Sequence, residues 1–295
     1  MKRLFIFLIL FLLLLFTGFW VLASQEKLFS VERGQNVFQI GRNLEKEGLI
    51  KSRLFFNFYV LITGNVKKLR AGDYYFSSSM SASEIAKKII TGDIATMTVT
   101  IPEGWTVQQI EEHFGFKLPG AMEGFLFPDT YRFSVKVSGE EVVKAMKENF
   151  DKKITAELRK EVARQGKTIF EIVTMASMVE KEVKTKEDKE LVAGILWKRL
   201  ANEIPLQIDA TITYLTGKSN VSIQDTQVDS PYNTYKYLGL PIAPISNPGL
   251  ESILASVYPK SSEYWYYLST PQGETIFSKS LQEHNLAKAR YLKTK

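Results

Sequence analysis

An α+β protein of about two domains is what this sequence predicts, and three observations predict it. Short β-prone stretches alternate with helical spacing over residues 28–92, a helix-rich block runs from Val142 to about Leu200, and proline-punctuated loops lead into an aromatic stretch at Tyr264–Leu268. The 295 residues are 45% apolar and 24% charged, a globular composition long enough to bury substantial cores without covalent staples.

The first element is an apolar run. Lys2 and Arg3 precede Leu4–Ala23, where only Thr17 and Gly18 among 20 residues are not apolar, and no charge follows before Glu26. A helix of that length spans about 30 Å, the thickness of the hydrocarbon layer, so a retained membrane anchor over residues 1–23 is expected. A cleaved signal peptide is the alternative: Val21 and Ala23 are spaced for a signal peptidase, although the run exceeds the usual length of about 7–15 residues. The basic pair is expected to stay in the cytoplasm, which makes this a single-pass protein of the cytoplasmic membrane with residues 24–295 on its outer side. Removing residues 1–23 takes away Lys2 and Arg3 and no acid, so the net charge falls from +6 to +4.

The second element is a small module over residues 24–94. Leu28–Val31 reads as a strand, Val37–Glu47 as a helix with apolar residues at 37, 40 and 44 closed by Gly48, and Ser52–Ile62 as an aromatic-rich helix. Gly72–Phe76 reads as a strand, and Ser83–Thr91 as a helix capped by Ser83 and ended by Gly92. A larger region over 95–295 opens with the alternating strand Met97–Ile101, turns at Pro102-Glu103-Gly104 and resumes helical spacing at Thr106–Phe114. After the helical block, five prolines from Pro205 to Pro248 mark loops, and Leu250–Val257 is an amphipathic segment.

Composition excludes several chemistries. There is no cysteine, hence no disulfide, thiolate zinc site or cysteine nucleophile, and with His113 and His284 alone no metal site or cofactor is expected. Lysine is mixed evenly with glutamate, which gives no reason to expect nucleic acid as a partner. Nucleotide-binding, zinc-protease and serine-hydrolase motifs are missing. The two histidines read by default as surface or helix residues.

Candidate chemistry centres on Phe170–Val183 (FEIVTMASMVEKEV), a largely apolar helix that carries carboxylates. At about 100° per residue Ile172, Ala176, Val179 and Val183 form a core stripe; Glu180 flanks it on one side and Glu182 on the other, sharing a face with Met175 and Met178. A carboxyl beside two thioethers at a pocket wall is partly desolvated and suited to act as a general acid. The plain alternative is an exposed glutamate paired with Lys181, Lys184 or Lys186. Downstream, Gln207 and Asp209 share one face if Pro205–Tyr214 is extended, unless Asp209 caps the following helix. The loops Ser230–Tyr235 and Gly239–Gly249 display Tyr232, Asn233, Tyr235 and Asn247; aromatic faces with amides suit sugars, and serve equally in rigid structural loops.

The ordered segments EGFLFPDTY (123–131), ASMVEKEV (176–183), LWKRL (196–200), PLQIDATITY (205–214), SPYNTY (230–235), GLPIAPISNPGLESI (239–253) and FSKSLQEHN (277–285) together resemble the YceG-like (MltG-type) endolytic murein transglycosylases. The resemblance implies a membrane anchor, a LysM-like module at residues 24–94 and a mixed catalytic domain with a lysozyme-like helical element. It also implies cleavage within peptidoglycan glycan strands, between N-acetylmuramic acid and N-acetylglucosamine, that leaves a 1,6-anhydromuramoyl end instead of adding water. Implied partners are glycan strands, the membrane and peptidoglycan synthases. Two departures stand out: the glutamate block ends in Val183 where the family has a threonine-type ending, and Ala210 stands where proline is common.

Aligning Ser177–Val183 with the A-I-x-x-Q-E-S pattern of other lytic transglycosylases puts the catalytic acid at Glu182, with Glu180 as the alternative. Gln207, Asp209, Tyr232, Asn233 and Asn247 are then the candidate substrate binders. A hydrolytic muramidase using Asp209 as base or nucleophile and a non-catalytic wall-binding scaffold are the rival functions.

Overall fold

The structure, a computed structural model, describes residues 26–218 and 220–292. The apolar run Leu4–Ala23, and with it the expected anchor, lies outside the described residues; among those described, no helix is long and apolar enough to cross a membrane. The fold is mixed α and β, with helices and small two-stranded sheets in two compact units.

The first unit follows the order expected from the sequence. Strand β1 (Glu26–Val31) pairs antiparallel with β2 (Gly72–Ser77), Phe29 opposite Tyr74, and helices α1 (Val37–Lys46), α2 (Arg53–Ile62) and α3 (Ala82–Thr91) pack with them; the segment Arg132–Lys136 returns to this unit from later in the chain. Helix α1 starts where it does because Asn36 and Gln39 cap each other reciprocally, each accepting the other's backbone N–H at 3.0 and 2.8 Å. Its buried positions 37, 40, 41 and 44 pack with Phe29, Phe56, Val60, Tyr74, Phe76, Ile85 and Ile89 into one apolar core. Helix α3 is capped by Ser81, not Ser83: Ser81 has Glu84 three residues on to close a capping box, whereas the third residue after Ser83 is Ala86.

The chain enters the second unit along β3 (Thr96–Thr100), which pairs with β4 (Thr130–Ser134). Helices α4 (Val107–Phe114), α5 (Gly139–Lys153), α6 (Ala156–Arg164), α7 (Ile169–Glu182), α8 (Lys186–Ala201), α9 (Asp209–Thr216) and α10 (Leu250–Val257) follow, then a hairpin of β5 (Tyr266–Ser269) and β6 (Thr275–Ser278), and last α11 (Leu281–Tyr291). Helix α7 is the centre of this unit. Every residue from Ile172 to Val179 is buried, so the helix is enclosed on all sides and not along a single stripe, with Thr174 and Ser177 the polar residues of that run. Met175 and Met178 belong to the core with Val192, Leu196, Leu206 and Ile245, which removes them from the pocket wall where the wheel placed them.

Two residues, Ser177 and Lys198, aim the elements that surround the end of α7. Ser177 in α7 accepts the N–H of Ile245 at 3.0 Å and its carbonyl accepts the Ser246 hydroxyl at 3.1 Å, which ties down the loop before α10. Lys198 in α8 donates to the carbonyls of Ser262 and Tyr264 and lies 4.3 Å from the centre of the Trp265 ring, which fixes the approach to β5. A close approach also demands glycine at 194: a Cβ there would sit 2.1 Å from the Lys260 carbonyl.

Candidate active site

Glu182 is the last residue of α7 and lines a cleft of about 400 Å³ with Arg199, Gln207, Asp209, Tyr235, Tyr266, Tyr267 and His284. Six segments converge there: the end of α7, the last turns of α8, the stretch that leads into α9, the loop that carries Tyr235, strand β5 and helix α11.

The Glu182 carboxyl is surrounded by enough protein that desolvation pushes its pKa up to about 7, with the nearby Asp209 charge acting in the same direction. Two donors oppose that rise, the Tyr267 hydroxyl and the backbone N–H of Ala210. The second donor has a local cause. Helix α9 has Ile208 at its N-cap, a residue with no side-chain acceptor, so an N–H of its first turn is free for the Glu182 carboxylate.

Each carboxylate of the cleft has its own tyrosine. Tyr267 donates to Glu182, and Tyr235 donates to Asp209 Oδ1. Burial, the carboxylate charges and these bonds raise both phenol pKa values, so both stay protonated donors at neutral pH. Arg199, buried in α8, is near both tyrosines and lies 5.5 Å from the centre of the Tyr266 ring. Its guanidinium donates to the Pro205 carbonyl at 2.5 Å and to Gln207 Oε1 at 2.7 Å. Gln207 is thereby held in a left-handed backbone conformation, φ 55°, with its N–H given to the Thr234 carbonyl at 3.0 Å. A side-chain-bearing residue kept at positive φ costs on the order of 1–3 kcal/mol, a strain that collects at functional sites.

His284, read from sequence as a surface or capping residue, is buried in the cleft wall and stacks on Tyr266 with ring centres 5.2 Å apart. Burial, with the positive charges of Lys288 and Arg199, pushes its pKa down to about 4, so it is neutral at pH 7.

Of the residues singled out in the sequence, Tyr235, Glu182, Gln207 and Asp209 come together. The segment bearing the latter two is not extended: Gln207 sits in a strained turn and Asp209 opens α9. Tyr232 packs against Tyr214 at 5.2 Å outside the cleft. Asn233 and Asn247 are buried, outside the cleft lining, and bonded to the protein itself. Asn233 donates to the carbonyls of Thr226 and Val228 and accepts the N–H of Tyr235, so it shapes the loop that presents Tyr235. Asn247 accepts the Leu126 N–H at 2.9 Å and donates to the Trp105 carbonyl and to Glu123, which leaves no polar atom for a ligand.

Glu180 faces inward. It pairs with buried Lys189 at 3.3 Å and accepts the N–H of Gly249 and the hydroxyl of Ser252 at the start of α10. Glu123 is a further carboxyl whose pKa burial raises to about 7, but its oxygens are taken by Val107 N–H and Asn247 Nδ2 at the start of α4. Among the described residues no cluster of His, Cys, Asp and Glu forms a metal site.

A cleft with one partly desolvated carboxyl, held by two donors and flanked by aromatic and amide side chains, has the equipment for acid–base chemistry on a mixed α and β fold. The chain belongs to the YceG-like family, whose model matches residues 29–290. It is 30% identical to an endolytic murein transglycosylase of Bacillus subtilis over 90% of this chain and 85% of that protein. It is 31% identical to an endolytic murein transglycosylase of Streptococcus pneumoniae, again over 90% of this chain, of whose length it spans 58%. A crystal structure of a yceG-like protein from Listeria monocytogenes has a TM-score of 0.60 and 32% identity to it, covering 90% of this chain and 100% of that one.

Proposed function

We propose that Glu182 is the single proton carrier of this enzyme, an endolytic murein transglycosylase. The enzyme cleaves glycan strands of peptidoglycan internally, between N-acetylmuramic acid and N-acetylglucosamine, and leaves 1,6-anhydromuramoyl ends. The observation that carries the assignment is the place of Glu182 in the cleft, bonded by the Tyr267 hydroxyl and the Ala210 N–H and beside Asp209, where burial raises its pKa to about 7 and keeps a large fraction of the carboxyl protonated near neutrality.

One carboxyl suffices for the chemistry. Protonated Glu182 gives its proton to the glycosidic oxygen as the bond to the muramoyl anomeric carbon breaks. The resulting carboxylate, stabilised by Tyr267 and the Ala210 N–H, then takes the proton of the muramoyl 6-hydroxyl while that oxygen closes on the anomeric carbon. No water is consumed and Glu182 ends protonated. A second carboxylate is what hydrolysis requires, to activate water or to form a glycosyl-enzyme. Asp209 instead is bonded by Tyr235 and acts as fixed negative charge near the developing positive sugar.

We further propose that Leu4–Ala23 anchors the chain in the cytoplasmic membrane with the enzyme outside. The first unit serves as a LysM-like glycan-positioning module, and the enzyme works beside peptidoglycan synthases. The order strand, helix, helix, strand, helix in that unit and the apolar run behind a basic pair support this reading.

Digestion of purified sacculi followed by mass spectrometry tests the function. Anhydro ends are the expected product. Reducing muramic acid ends, heavier by one water, would establish a muramidase, and intact strands bound by folded protein would establish a scaffold.

A further inference from the structure

The first unit buries its core on one side of α2 and leaves the other side apolar as well. Phe56 and Val60 are buried, while Leu54 is 74% exposed, Phe58 60% and Ile62 68%, with Phe55 and Leu61 about half exposed beside them. Positions 54, 58, 61 and 62 repeat at helical spacing on one face. Phe38 of α1 joins them, and a groove runs between the two helices lined by Phe38, Leu54, Phe58 and Leu61. Scattered exposed apolar residues are ordinary, but a contiguous set of this size marks a contact surface.

What lies against it is indicated by charge and by chain geometry. Arg42 and Arg53 line the same groove, Lys67 and Lys68 follow α2 directly, and residues 26–94 hold 11 lysines and arginines against 7 acids. Aromatic and aliphatic side chains rimmed by cations match a bilayer interface with anionic headgroups. The apolar run ends at Ala23, three residues before β1 begins at Glu26, and at about 3.5 Å per residue that connection reaches only some 10 Å. Lys27 in β1 pairs with Glu47 after α1 at 3.2 Å, and the Arg53 N–H is bonded to Glu45 at 3.0 Å, so the beginning of β1 and the beginning of α2 lie at the same end of the unit.

We propose that this face of α1 and α2 docks on the outer lipid surface beside the point where the chain leaves the membrane, so that the first unit lies on the bilayer. The proposal rests on the membrane-anchor reading. It adds a second attachment of the chain to the membrane.

The chain has no cysteine, so a single introduced one carries a polarity-sensitive fluorophore uniquely. Full-length chain with Leu54→Cys, and with Lys87→Cys at an exposed position of α3 as control, is reconstituted in phosphatidylglycerol/phosphatidylethanolamine vesicles. The label at 54 should shift to the blue and be quenched by nitroxide lipid; the label at 87 should do neither. Identical behaviour of the two labels in chain that floats with vesicles would overturn the proposal.

If the full chain does not float, the anchor reading fails, and a chain starting at Glu26 decides the patch alone; its core begins at Phe29 and loses nothing. That chain should bind anionic vesicles, and Leu54→Ser with Phe58→Ser should weaken binding at least about tenfold, the effect of losing one buried large apolar group or more. Unchanged binding by the double variant, no binding by the parent chain, or patch-dependent dimerisation without lipid would overturn it.

Discussion

Glu180 and Glu182 are two residues apart at the end of one helix and are held by opposite surroundings. Glu180 is bonded to buried Lys189 and to the start of α10, while Glu182 opens on the cleft and is bonded to Tyr267. The same conservative change therefore separates chemistry from stability. Glu182→Gln should remove strand cleavage, a loss of about 10²–10⁴ in rate, without loss of fold. Glu180→Gln should lower stability by roughly 3–5 kcal/mol, because it leaves Lys189 poorly compensated in the interior, and should retain turnover in the fraction that stays folded. Release of anhydromuropeptides from sacculi, with thermal melts of each variant, reads both effects. Full activity in Glu182→Gln would move the acid elsewhere.

The raised pKa of Glu182 also has a thermodynamic sign. In the unfolded chain a glutamate titrates near 4.3, and in the native protein this one titrates at about 7, so the native state holds its proton more tightly. That contribution to stability is complete below about pH 4.3 and is lost as pH rises through 7. Glu123 acts in the same direction, whereas His284, whose pKa is pushed down to about 4, contributes stability that is lost as pH falls from about 6.5 to 4. The difference between Glu182→Gln and the parent isolates one group: the variant should gain in melting temperature relative to the parent from pH 5 to pH 8. A constant difference across that range would show that Glu182 titrates normally.

Asn247→Ala should act on folding and not on substrate. Three hydrogen bonds of a fully buried amide join Trp105, Glu123 and Leu126, and their loss leaves buried partners unmatched, at about 3 kcal/mol or more. Glycan affinity measured on the folded variant should equal that of the parent. A weakened affinity with an unchanged melt would return Asn247 to the binding site.

An acid among apolar residues stands out in any helix, which makes Glu180 and Glu182 legible together, but the face that the wheel gives Glu182 with Met175 and Met178 is core and not pocket wall; the first unit is legible because each of its helices carries its own cap and period. Asn233 and Asn247 misled for a physical reason: an amide in a turn-rich loop has the same sequence signature whether it bonds backbone or sugar. Gln207 and Asp209 reach the cleft by a geometry that period-2 spacing does not describe, a left-handed turn held by Thr234 and Arg199. Tyr267, Arg199 and His284 reach the cleft from segments far apart in sequence, and no local pattern records that convergence. The block LWKRL marked Arg199 only through family resemblance.

Two single changes around Glu182 should move the pH dependence of cleavage in opposite directions. Tyr267 donates to the carboxylate and so favours its charged form; Tyr267→Phe removes that donor, and the pKa of Glu182 should rise above about 7. Asp209 acts through its charge and disfavours ionisation of Glu182; Asp209→Asn keeps an oxygen for Tyr235, removes the charge, and the pKa should fall. Because the free enzyme must carry the proton to begin the reaction, the high-pH limb of kcat/KM should shift up in the first variant and down in the second. Cleavage by Asp209→Asn also bears on the reaction itself. If Asp209 activated water, its amide would abolish turnover at every pH; if the 6-hydroxyl is the nucleophile, turnover persists at low pH and its products still carry anhydro ends. A profile that keeps its midpoint in both variants would mean that neither side chain governs the proton on Glu182, and the observed limb would then belong to another group.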